Sequence, residues 1–112
     1  MSDLTLAEQA ARDRSGGPIP ADANEPRLVQ YRNRRIGSGK HLRRCIGRSN
    51  RIAAQWAVAV DEGDMILANA LRENFRAAQR DTAHARETWG NFRDWHKAEA
   101  ERTRARMMEA AE

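Results

Sequence analysis

Cysteine is almost missing from this sequence: Cys45 is the only one in 112 residues. A lone thiol excludes an intramolecular disulfide framework and a zinc site built from several cysteines. The helical spacing of Cys45 to Leu42 and Ser49 places it as a small apolar residue on a helix face, the usual setting of a free cysteine. Aromatic residues are scarce too, with one Tyr, three Trp and two Phe. A chain of this length buries only ~60–70% of its unfolded surface, so the core must be small.

The three prolines all fall at or before Pro26, and nothing after that point forbids helix. Long apolar runs are also lacking. The longest, Ile52 to Val60, spans nine residues and includes Gln55, against the ~20 that a membrane-spanning helix needs. The first residues, "MSDLTLAEQAARDR", carry acids and no apolar stretch, so the expectation is a cytoplasmic protein with no secretory signal and no membrane contact.

The residues that are plentiful are Ala, Arg, Glu and Asp, and their propensities favour an all-α protein. "TLAEQAARDRSGG" reads as a short helix, opened by a Thr5–Glu8 capping box and stopped at Gly16 and Gly17. Residues 15–26, "SGGPIPADANEP", hold every proline and show no periodicity, which marks a linker. Residues 1–26 are thus expected to form an extended N-terminal arm containing a short helix, and residues 27–112 a basic segment plus a helical hairpin. Residues 27–36, "RLVQYRNRRI", fit either a turn or two of helix or a short extended segment.

From Lys40 onward the pattern is amphipathic: Leu42, Cys45 or Ile46, Ser49, Ile52, Trp56, and Ala59 or Val60 recur at spacings of three and four. Gly63 stands where a helix C′ residue belongs, and Asp64 where the next helix needs an N-cap. An antiparallel hairpin with a long C-terminal helix is predicted. The second stripe runs through Leu67, Leu71, Phe75, Ala78, Thr82, Ala85, Trp89, Phe92 and His96.

Across such a turn, facing residues have numbers summing to about 125. A first helix that begins near Lys40 would end opposite residue 85. Trp89, Phe92 and Trp95 would then lie beyond it, partly covered by N-terminal residues such as Leu4, Leu6, Ile19, Leu28 and Val29. The remainder would be a contact with another protein or with further copies, giving a homo-oligomer or a larger complex.

Charge is the most uneven property of the chain. Residues 27–51 hold nine basic and no acidic side chains, whereas the flanking segments carry net charges of −3 and −2. The basic set is Arg27, Arg32, Arg34, Arg35, Lys40, Arg43, Arg44, Arg48 and Arg51, with Tyr31 among them as a stacking platform. Arginine forks onto phosphates and carboxylates and stacks on bases, which makes Arg32, Arg34, Arg35, Lys40, Arg43, Arg44, Arg48, Arg51 and Tyr31 the candidate contacts to nucleic acid or to an acidic protein surface. The competing reading is a solvated face whose arginines pair with acids of the second helix or the arm.

"RRIGSGKHLRR" resembles a phosphate-binding glycine loop only superficially. Aligned on its "GK", Arg34 stands where the first glycine is required and His41 where Ser or Thr should hold the metal. Gly37 is instead expected to end one segment, with Ser38 or Gly39 capping the next helix. His41, His84 and His96 lack ligand spacing, and Asp61, Glu62 and Asp64 suit a turn. No catalytic residue, metal site or cofactor is expected. The chain reads as a non-catalytic nucleic-acid-binding protein that self-associates through Trp89, Phe92 and Trp95. The alternative is a protein-binding adaptor, an inhibitor, or an assembly component of a phage-type particle.

Overall fold

The computed structural model describes residues 26–111, and the expected arm, with its short helix and linker, lies outside them. Two helices account for nearly all of the described chain: α1 (Arg27–Asp61, 35 residues) and α2 (Met65–Ala111, 47 residues). The fold is all-α, an antiparallel helical hairpin with the longer helix second.

Helix α1 starts where proline allows. The Pro26 carbonyl accepts hydrogen bonds from the Val29 and Gln30 amides at 3.1 and 3.2 Å, and a residue at this boundary needs no amide proton of its own. The helix then passes without a break through Gly37, Ser38 and Gly39, which corrects the expected stop and restart there. The Ser38 hydroxyl donates to the Arg35 carbonyl at 3.1 Å. It is a bond inside the helix, not a cap.

The turn follows its local chemistry. Gly63 adopts φ +75°, its amide donates to the Val60 carbonyl (3.1 Å), and the Asp64 amide donates to the Ala59 carbonyl (3.0 Å). These two bonds define a Schellman C-cap. One residue on, an Asp64 carboxylate oxygen accepts the Leu67 amide at 3.1 Å, capping α2 at its N3 position.

The described residues divide into two compact units, Gly39–Glu87 and the described parts of Met1–Ser38 and Thr88–Glu112. In the Gly39–Glu87 unit, Leu42, Cys45, Ser49, Ile52, Trp56 and Ala59 of α1 are buried or half-buried. So are Ala68, Leu71, Phe75, Ala78, Thr82 and Ala85 of α2. Spacings that alternate between three and four give the 3.5-residue period of a coiled-coil seam. The stripe in α2 therefore starts at Ala68, and Leu67 and Val60 remain exposed.

Trp56 stacks on Phe75 at 6.3 Å with an interplanar angle of 22°, and Arg48 meets Asp81 at 3.7 Å. Both pairs confirm antiparallel packing. The fully buried apolar side chains of this unit are alanines: Ala59, Ala68, Ala78 and Ala85.

In the other unit, α1 contributes Tyr31 and α2 contributes Phe92 and Trp95 to one buried cluster. Tyr31 and Trp95 lie 6.2 Å apart, tilted at 55°, and Phe92 meets Trp95 edge-on at 5.3 Å. Such aromatic pairs contribute ~0.5–1.5 kcal/mol beyond their area. The expectation that Trp89, Phe92 and Trp95 overhang the hairpin is thereby corrected. Because α1 begins at Arg27, it supplies Tyr31 to pack with Phe92 and Trp95, while Trp89 stays half-buried.

Candidate nucleic-acid interface

Helical geometry from Lys40 onward decides how the cations of this stretch are displayed. Lys40, Arg43, Arg44, Gly47, Arg48 and Arg51 follow the i, i+3, i+4, i+7, i+8, i+11 pattern of one helix face, and together they line an open, shallow concavity. All five cations are exposed. Gly47 lies between them, and a Cβ built there would come within 3.4 Å of an Arg51 guanidinium nitrogen. The missing side chain makes the notch. A glycine inside a helix costs ~1 kcal/mol relative to alanine, so the notch is held against local propensity.

Among the described residues, the ion pairs of the Gly39–Glu87 unit reach this face only at Arg48, through Asp81. Both partners are more than half exposed, so the pair adds little to stability. No described carboxylate lies within 4 Å of Lys40, Arg43, Arg44 or Arg51. On this face the expected pairing with acids of α2 is seen at Arg48, and the arm, the other expected partner, lies outside the described residues.

The remaining sequence candidates belong to the other unit. Arg32 and Arg34 are exposed and Arg35 is half-buried. Arg35 and Arg32 bear electrostatically on His96, whose pKa is lowered first by burial and then by these two charges. Tyr31 is 1% exposed and its hydroxyl accepts a hydrogen bond from Arg27 at 2.8 Å, so it presents no face to a base. Phe92 and Trp95 are buried, and Trp89 is half-buried with the Arg93 guanidinium 5.0 Å from its ring centre. Of the expected aromatic interface, Phe92 and Trp95 belong to an interior cluster with Tyr31, and Trp89 stays partly exposed.

Two features escaped the sequence reading. Gly47 stands among the cations of the face and was not singled out in the sequence, although a helix beginning near Lys40 already contains it. Glu99, on the α2 seam, is 5% exposed. Its carboxylate accepts hydrogen bonds from Arg102 at 2.9 and 3.1 Å and from Arg106 at 3.5 Å. Burial alone would raise its pKa, but the Arg102 bonds and charge, with Arg27 and Arg106, outweigh burial and hold it below the ordinary value.

Elsewhere, Cys45 is half-buried with its sulfur 3.6 Å from His41 Nε2. Among the described residues no group of three His, Cys, Asp or Glu side chains could hold a metal ion, and no helix is long and apolar enough to cross a membrane. No protein-family model matches the chain, and no curated protein or solved structure matches it.

Proposed function

We propose that the chain is a non-catalytic nucleic-acid-binding protein whose phosphate contacts are made by the outward face of α1. One observation carries the reading: Lys40, Arg43, Arg44 and Arg51 share an exposed helix face with no described carboxylate beside them. Cations clustered this way repel one another and attract a polyanion, and guanidinium groups suit phosphate oxygens. With Arg48 on the same face, five such contacts give duplex binding a log-log salt slope of about −4 to −5.

A second reading is supported by the hairpin turn, where Val58, Val60, Met65, Ile66 and Leu67 are all exposed and Ile66 is 88% so. Apolar surface of this kind suits an adaptor or assembly component, whose arginines would meet an acidic protein surface. Fluorescence anisotropy with labelled nucleic acids over a salt series separates the two. Binding that weakens steeply with salt and is lost in Arg43→Glu/Arg44→Glu, but survives Ile66→Ser/Leu67→Ser, is the expected result. Absence of binding to any nucleic acid at low salt would assign the face to a protein partner.

A further inference from the structure

Resting on the nucleic-acid reading, the structure narrows which nucleic acid the face can take. Single strands are held largely by bases stacked on exposed aromatic rings. All six aromatics of this chain lie within the described helices, and none is exposed: Tyr31, Phe92 and Trp95 are buried, and Trp56, Phe75 and Trp89 are half-buried. Trp56 is stacked on Phe75, and Trp89 has Arg93 over its ring. The basic face therefore offers charge and shape but no exposed Trp, Tyr or Phe ring for bases to stack on.

Its shape is that of a bare helix surface. Residues 40–51 rise ~17 Å along the axis at 1.5 Å per residue, the span of about five base pairs of duplex. Within the Gly39–Glu87 unit, the seam residues of α1 point to α2 while the cations line the exposed concavity. A helix with its side chains is ~10–12 Å across, which matches the ~12 Å major groove of B-form DNA. The major groove of A-form RNA is too deep and narrow to admit it.

Gly47 sits mid-face, with Arg43 to one side on the helical wheel and Lys40, Arg44, Arg48 and Arg51 to the other. Gly47 is half-buried, with the Arg51 guanidinium lying against it; once Arg51 swings out to a phosphate, the backbone can come closest to a ligand at this position. We propose that the ligand of this face is B-form duplex DNA, with α1 seated in the major groove, Gly47 at closest approach and the five cations on the flanking phosphates.

The test is a competition experiment on the full chain, using a labelled DNA duplex of about two turns. The competitors are the same sequence as single-stranded DNA and as an RNA duplex, and Gly47→Leu is measured alongside. The DNA duplex is expected to bind at least ~10-fold more tightly than either competitor. Gly47→Leu keeps every charge and favours helix, yet is expected to weaken duplex binding ~10-fold by filling the notch. Equal or tighter binding of single strands or of RNA duplex would overturn the assignment to B-form DNA while leaving the phosphate-binding reading intact. Unchanged duplex affinity in Gly47→Leu would overturn the seating of α1. Failure of all three nucleic acids to bind would instead remove the reading on which the proposal rests. Circular dichroism of Gly47→Leu separates lost fit from lost fold.

Discussion

Among the described residues, Glu99 and His96 are the groups whose ionisation is tied to the fold, and both make it less stable in acid. Glu99 is buried, and its carboxylate is held charged by Arg102, Arg27 and Arg106 against the cost of burial. Its folded pKa lies below the ordinary value near 4.5, so its contribution is present above that value and disappears as pH falls through the folded one. His96 is also shifted down, by burial and then by Arg35 and Arg32. The unfolded chain therefore takes up the imidazole proton first, near 6.5, and stability drops as pH falls from there towards the folded value. Urea midpoints measured against pH should show two descending steps on acidification. His96→Gln should remove the upper step and Glu99→Gln the lower. At pH 7, Glu99→Gln should also cost about 1–2 kcal/mol, since hydrogen bonds to a charged group are lost while the exposed guanidinium ends stay hydrated. A flat profile between pH 7 and 5 would mean that His96 is hydrated in the folded chain.

At the scale of helices and turns, two glycines with opposite roles provide a paired test. Gly63 holds φ +75° in the Schellman cap, a conformation that costs a side-chain-bearing residue ~1–2 kcal/mol. Gly90 lies inside α2, and the nearest atom to a Cβ there is the tip of Arg93 at 4.0 Å. Thermal unfolding should show Gly63→Ala destabilised by about 1 kcal/mol and Gly90→Ala stabilised by about 0.5–1 kcal/mol. Destabilisation of Gly90→Ala would reveal a close approach at that position. The turn was legible in the sequence because its chemistry is local: a left-handed glycine followed by a capping aspartate needs no tertiary information. The start of α1 was not. Gly37 and Gly39 argue against helix by propensity. The seam residues of this stretch, Leu28, Tyr31, Arg35 and Ser38, mix polar with apolar side chains and blur the period. Packing against Phe92 and Trp95 overrides both signals. A first helix that begins at Arg27 rather than near Lys40 buries Phe92 and Trp95 together with Tyr31.

At the scale of the whole molecule, charge is segregated along the chain, with nine cations and no acid between Arg27 and Arg51. The candidate face was legible at this level, because a run of arginines without acids survives any error in helix boundaries. Which of these arginines stay clear of the acids of α2 was not, since that depends on how α2 packs beside them. The layout has a thermodynamic consequence. Lys40 with Arg44, and Arg44 with Arg48, are like charges one turn apart on α1, and each such pair destabilises a helix by ~0.2–0.5 kcal/mol. A face kept for binding carries this cost, whereas a face kept for the fold would be stabilising. Arg44→Gln relieves both repulsions and breaks no described ion pair. It should raise stability by about 0.5 kcal/mol at low ionic strength, and the gain should fade as salt screens the charges. The same variant should bind nucleic acid several-fold less tightly, with a salt slope shallower by about one. Urea midpoints at low and high salt, paired with anisotropy on the same preparations, read both effects. A stability loss in Arg44→Gln would show that the arginine supports the hairpin itself and would favour a structural role for the face. A gain in stability coupled to a loss of binding is the signature of charge held in place for a polyanion.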